Sequence, residues 1–324
     1  MSGSRRLAVT VAAALALLPA SGVLRADEFP TRPIRVVVGF GPGAVADVIL
    51  RVVTNRMSQT LGQQLVVENR PGAGSSLGAE YVARAPKDGY TLLMCTVAQT
   101  INPAMNNLSF DFGKDLAPIA LVANAPQMLV AHPSFPANNV RELIALAKSQ
   151  PDGVQYASSG AGTMSHLSGV LLNSAAGIKL QQIPYPGSAQ SMTDVLAGRV
   201  PLMFGPAATV WSNVQGGKLK ALAVTQPKRA AIAPEVPTMV EAGVPGYSAG
   251  IWMGLLAPSG TPRDIVDKLS RAANEALKSN EVLSLMEKQG VDPLGGTPAE
   301  FAQFIDDELK KWDGVVKVAG IKTK

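Results

Sequence analysis

The stretch RVVVGFGPGAVADVIL, residues 35–50, decides the fold. Val36, Val37 and Val38 form a β-branched run of the kind that fills a strand buried on both faces. Gly39, Gly41 and Gly43 then crowd a turn, after which Val45, Val48, Ile49, Val52 and Val53 recur at helical i, i+3, i+4 spacing. The unit is strand, glycine-rich turn, helix, with the helix expected near residues 44–61. Residues 39–44 also satisfy the dinucleotide fingerprint G-x-G-x-x-G/A, and Glu68 stands near where a ribose-binding acid would lie. Two residues speak against a nucleotide. Pro42 has no N–H to offer a phosphate, and Asp47 puts negative charge in the first helical turn, where a pyrophosphate would sit.

The same grammar repeats along the chain. Strand patterns QLVVEN, YTLLMCT, VQYASSG, KLQQIPY, VPLMFG and LKALAVT alternate with helical patterns, which predicts α/β units with mainly parallel sheets covered on both faces. Helices are expected at NNVRELIALAKSQ, near Thr163, from Ser188, and over 262–279, 281–289 and 298–318, the last with a stripe of Phe301, Phe304, Ile305 and Leu309. The long apolar runs near 119–131 and 248–257 are the candidate crossings between two units.

The first residues read as an export signal. Arg5 and Arg6 precede an apolar run that ends at Pro19, and small residues offer cleavage after Ala26 or Gly22. That run is shorter than the ~20 residues a membrane span needs. The whole chain of 324 residues carries 29 Lys and Arg against 24 Asp and Glu, a net +5. Arg5, Arg6 and Arg25 fall in residues 1–26 with no acid, so the remainder carries +2. That balance, with no basic run interleaved with aromatics, argues against nucleic acid. The single cysteine, Cys95, rules out an intramolecular disulfide and reads as a buried, inert thiol.

Catalytic equipment is sparse. His132 and His166 are the only histidines, neither has a Cys, His or acid at ligand spacing, and no serine sits in a G-x-S-x-G elbow. What recurs is a glycine-rich turn opening a helix: GFGPGAVAD, RPGAGSSLGA, SSGAGTMSH and PYPGSAQS. Backbone N–H groups at a helix N-terminus favour an anion, and Ser159, Thr163 and Ser188 add hydroxyls. Such turns also serve connection geometry alone. In one α/β chain, however, they share the strand-end edge where ligands bind. Asp47 reads either as a helix-dipole partner or as a contact to an ammonium or hydroxyl of a ligand.

FPTRPIRVVVGFGPGAVADV, followed by LGQQLVVENRPGAGSSLGAEYVARAPKDGYTLL, INPAM, DLAPIALVA, YASSGAGTMSHLSG, IPYPGSAQSMTDVLAGRVPLMF, PEVPTMVEAGVPGY and GLLAPSGTP, resembles the solute-binding receptors of tripartite tricarboxylate transporters, the Bug family. The resemblance covers essentially all of the chain beyond the leader. It implies a type II periplasmic binding fold: residues 27–125 with 251–324 as one discontinuous α/β domain, 126–250 as the other, and two crossing strands between them. It further implies a periplasmic binding protein rather than an enzyme, with no cofactor. The expected partners are a small organic acid and integral-membrane transporter subunits or, alternatively, a sensor kinase. A monomer is the default. Carried over, the ligand contacts are Phe40, Pro42, Gly43, Ala44 and Asp47; Thr96, Ala98 and Gln99; and Ser159, Gly160, Gly162, Thr163 and His166, with Tyr185 and Gly187 nearby. His166 alternatively bonds a neighbouring loop from its helical position. The chain leaves the family pattern at Gly39, at Ala44, and at Gly205 and Pro206, where an Asp-Asn pair is frequent. The last departure suggests a ligand with a less polar distal end.

Overall fold

The computed structural model describes residues 29–160, 162–185 and 187–320; the expected leader, residues 1–26, lies outside them. The first half of the chain runs β1 (Ile34–Val38), α1 (Val45–Leu61), β2 (Leu65–Asn69), α2 (Ser76–Ala83), β3 (Thr91–Thr96), α3 (Ala98–Met105), α4 (Phe112–Asp115) and β4 (Leu116–Ala125). Then come β5 (Gln127–Ala131), α5 (Val140–Ser149), β6 (Val154–Ser158), α6 (Met164–Ala176), β7 (Leu180–Pro184), α7 (Ser188–Leu196), β8 (Leu202–Pro206), α8 (Ala207–Gln215) and β9 (Lys220–Val224). The chain closes with β10 (Ile251–Pro258), α9 (Arg263–Ala276), α10 (Asn280–Lys288), β11 (Asp292–Pro293) and α11 (Pro298–Ala319).

Two sheets result, ordered β11-β4-β10-β3-β1-β2 and β7-β6-β8-β5-β9. The neighbours β3, β1 and β2 are parallel, as are β7, β6 and β8. The expectation of mainly parallel sheets needs correcting for the rest: β10 is antiparallel to β3 and β4, β11 to β4, and β5 to β8 and β9. For β5, β9 and β10 the reason is connectivity. The chain leaves the first sheet from β4 straight into β5 through Pro126, and returns from β9 into β10. A strand entering from the other unit arrives at the cleft end of its sheet and runs against the strands that leave there.

The valine run behaves as its chemistry demands. Val36 and Val38 join Ile49, Leu50, Val53 and Met57 of α1 and Leu269 of α9 on one face. Val37, alternating with them, joins Ala79, Leu93 and Cys95 on the other, in a core that continues into Tyr156, Leu202 and Phe204 of the second sheet. Cys95 is fully buried, donates to the Gly254 carbonyl, and has its thiol pushed up by burial. α11 starts with a capping box, Thr297 with Glu300, and Pro298 in its first turn. It packs against both α3 and α6, so one helix braces both units. Its Glu308 accepts from the indoles of Trp252 and Trp312 at 2.8 Å each, tying the return strand to the brace. The helices α3 and α8 escape a reading by period: α3 carries Pro103 internally, and α8 starts with no loop after β8. No helix among the described residues is long and apolar enough to cross a membrane.

Candidate functional site

Six connections follow the C-terminal ends of the parallel strands. The first sheet supplies β1–α1, β2–α2 and β3–α3; the second supplies β6–α6, β7–α7 and β8–α8. The two rims meet at Gly162 and Met105. A Cβ on Gly162 would lie 2.6 Å from Met105 Cε at the end of α3, and Gly162 holds a φ of +74°. The expected contact residues lie on these connections, in the first turn of the helix that follows, or, for Thr96, Gly205 and Pro206, at the last residues of β3 and β8. How they are used differs from one to the next.

In β1–α1, Pro42 and Gly43 are exposed and Phe40 and Ala44 half-buried. Asp47 is buried. Its carboxylate accepts from Gly43 N at 2.9 Å and Asn69 Nδ2 at 2.9 Å, and pairs with Arg51 at 2.9 Å. Burial pushes its pKa up, but the bonds from Arg51, Gly43 and Asn69 outweigh it and hold the carboxyl below its ordinary value. Asn69 also donates to the Phe40 carbonyl at 2.9 Å, so Asp47 and Asn69 brace the turn from within. Gly39 has a packing reason: a Cβ there would lie 2.4 Å from Ser75 Cβ, in the β2–α2 turn. That turn carries two non-glycine residues in the left-handed region, Ala73 (φ +46°) and Ser75 (φ +73°), a strained arrangement. Asn102 of α3 clamps it, donating to Gly74 O at 2.7 Å and Ser76 Oγ at 2.9 Å.

At β3–α3, Gln99 folds back on the strand end. Its Oε1 accepts from Thr96 N at 2.8 Å and Thr96 Oγ1 at 3.2 Å, while Thr96 Oγ1 accepts from Ala98 N at 3.2 Å. Its Nε2 is buried with no hydrogen-bond partner among the described residues. A buried donor left unpaired costs ~1–3 kcal/mol.

The β6–α6 turn is a hydroxyl network. Ser165 Oγ accepts from Ser159 N at 2.9 Å and meets Ser159 Oγ at 2.9 Å and Thr163 Oγ1 at 3.0 Å. Thr163 Oγ1 donates to Gly160 O at 2.7 Å, and Gly160 takes a φ of +122°. His166 is buried, and its Nδ1 accepts from Gly162 N at 3.1 Å. That bond assigns the proton of the neutral ring to Nε2, and burial lowers the pKa. Tyr185 lies beside this turn, its N–H donating to Ser158 O at 2.9 Å, but its hydroxyl donates to Asp194 of α7 at 2.7 Å. Gly187 caps α7 in extended backbone. Gly205 is buried, with a Cβ position 2.6 Å from Val210 Cγ1, and Pro206 caps α8. Ala207 N donates to Pro126 O at 2.8 Å, so this junction is tied to the first crossing. Ser165, Asn69 and Asn102 are network residues that the sequence reading passed over; only the position of Ser165 in the first turn of α6 could have flagged any of them. No group of three or more His, Cys, Asp or Glu that could hold a metal occurs among the described residues.

Two α/β units, two crossings and opposed strand-end rims define a two-domain solute-binding protein. The profile described as "Tripartite tricarboxylate transporter family receptor" matches residues 49–321. The protein BugT of Bordetella pertussis is 34% identical over 322 residues, covering 98% of this chain and 99% of its own. Among solved structures, the Rhodopseudomonas palustris protein Rpa4515 with adipate is 33% identical, with a TM-score of 0.71 over 91% of this chain and 99% of its own. A TctC solute-binding protein from Polaromonas, with no ligand, is 27% identical, with a TM-score of 0.83 over 89% of this chain and 99% of its own. The chain belongs to the tripartite tricarboxylate transporter receptor family.

Proposed function

We propose that the protein captures a small organic carboxylate between the two rims, with 27–125 and 251–324 closing on 126–250, and delivers it unchanged to a membrane transporter after export to the periplasm. The observation that carries this is the pair of sheets whose parallel strands end in six helix-opening connections, at the strand-end edge where open α/β sheets take ligands. The hydroxyls of Ser159 and Thr163 on the second rim are the groups this reading assigns to the carboxylate, which then needs no cation there. The adipate in the R. palustris relative supports the ligand class. The chain superposes better on the ligand-free Polaromonas protein than on the adipate complex, although it is closer to the latter in sequence. That favours reading the structure as the open state, from which ligand selects closure. Gly205 and Pro206 bring no polar side chain to the second rim, which favours acids with an apolar distal end. Thermal-shift titration with benzoate, adipate, malate and citrate tests this. Stabilisation by benzoate, lost in the double variant Ser159→Ala with Thr163→Val, with the acid recovered intact by mass spectrometry, is the expected result. Stabilisation by adipate, malate or citrate but not by benzoate would refute the apolar end. Turnover of the acid, or no response to any of them, would refute the receptor reading.

A further inference from the structure

The return crossing changes units between Ala249 and Ile251. On one side the chain is tied to the second unit. The Tyr247 hydroxyl donates to Ser168 O of α6 at 2.8 Å, and Ala249 N donates to Thr225 O, just past β9, at 2.8 Å. On the other side, Ile251 and Trp252 pair with Ala125 and Asn124 of β4 in the first sheet. Gly250 stands between them, pressed against the outgoing crossing: a Cβ there would lie 2.7 Å from Asn124 Oδ1. A turn of one unit against the other is therefore taken up here and at Pro126, the residue that separates β4 from β5.

Helix α11 straddles this pivot. Glu308 accepts from Trp252 Nε1 at 2.8 Å on the first-unit side, and Lys311, one turn further along, donates to Ser248 O at 3.0 Å on the second-unit side. Glu308 and Lys311 are paired with each other, and their side chains are only 7% and 21% exposed. The Lys311 ammonium stands 4.7 Å from the centroid of the Trp312 ring. A charged donor in such poorly hydrated surroundings makes a stronger bond than a neutral one in water. We infer that Lys311 is a positioning residue for capture: its bond to Ser248 O favours the open form of the ligand-free protein, and so sets affinity for the acid from outside the cleft. The inference rests on the proposed capture and on the open state which that reading assigns to this structure. Ser248 travels with Tyr247 and Ala249, whereas Lys311 travels with Glu308 and Trp252. Closure changes the separation of the two partners, and the bond is spent in reaching the closed form. Apparent affinity scales with the fraction of protein already in the binding-competent form, so a change that raises the ligand-free closed fraction tightens binding by the same factor.

Two variants test this. Lys311→Met keeps an apolar stem beside Trp312 and removes the donor, while Lys311→Arg retains a charged donor. Cys95 is fully buried, so dyes attach selectively to cysteines introduced at the exposed Leu77 of α2 and Gln190 of α7, one near each rim. Single-molecule energy transfer then reads the ligand-free closed fraction, and calorimetry with benzoate on the unlabelled protein reads affinity. The expected result is that both rise about tenfold in Lys311→Met and both return toward wild type in Lys311→Arg. A closed fraction in Lys311→Met no higher than in wild type would overturn the inference, and with a lowered melting temperature it would mark Lys311 as structural only. A higher closed fraction with unchanged or weaker benzoate affinity would overturn it as well. Failure of every acid to bind the wild type would refute the receptor reading instead, and the ligand-free closed fraction would still decide whether Lys311 favours the open form.

Discussion

Removing the Asp47 carboxylate should unfasten the β1–α1 turn before it alters ligand choice. Asp47→Ala deletes two bonds from neutral donors, Gly43 N and Asn69 Nδ2, and the pairing with Arg51, whose side chain is half exposed. Bonds to a charged acceptor contribute about 1.5 kcal/mol each, and a half-exposed pair about 0.5 kcal/mol, so the loss is about 3–4 kcal/mol. At about 2 °C per kcal/mol for a chain of this size, the ligand-free protein should melt about 6–8 °C lower. The pH dependence has a definite sign. A carboxyl held below its ordinary value of 3.8 contributes fully above that value, and its contribution fades as pH falls through the lowered one. The gap between wild type and variant is therefore full at neutral pH and narrows in the acid range below about pH 4. Urea denaturation followed by circular dichroism at both ends of that range reads it directly. An unchanged urea midpoint together with altered ligand preference would refute the reasoning and make Asp47 a ligand contact.

Two further perturbations probe the opposite rim and the packing beneath the first. His166 is held neutral by burial, with a pKa below its ordinary 6.5, so the native state should lose stability as pH falls below about 6.5. His166→Asn, whose amide oxygen can accept from Gly162 N, should flatten the melting temperature between about pH 5 and 7, and an unchanged slope there would show that another group titrates. Gly39→Ala places a methyl against Ser75 and should cost about 1–3 kcal/mol in a chemical melt, with weaker carboxylate binding. Wild-type stability in that variant would mean that the β2–α2 turn yields freely.

The valine run, the glycine turns and the alternation of strand and helix were legible because each rests on a local rule: a β-branched stretch, a residue that accepts positive φ, a period of 3.6. What was not legible depends on pairings distant in sequence. Nothing local marks Asn102 as the clamp on Gly74, or Asn69 as the brace on Phe40, since those bonds span 28 and 29 residues. Gly39 illustrates the boundary. As sequence it is a departure from a family pattern; in the fold, Ser75 leaves no room there for a side chain. The antiparallel returns were hidden for the same reason, because strand direction at a crossing is a property of the path between two sheets rather than of any segment.

The cost of that blindness falls on the anion argument itself. From sequence, each glycine turn offers unsatisfied N–H groups at a helix N-terminus. In the structure three of those amides already have acceptors drawn from their own helix: Gly43 from Asp47, Gly162 from His166, and Ser159 from Ser165. An incoming carboxylate therefore does not meet a bare cradle. Asp47 would repel it, and binding deep in the first turn would displace a charged acceptor rather than water. The turns are better understood as rigid walls, fixed in shape before ligand arrives, and on the proposed reading recognition falls to the hydroxyls of the β6–α6 network, which can reorient. On that reading a change among the hydroxyls alters what is held, while a change at Gly39 or Asp47 alters whether the wall stands.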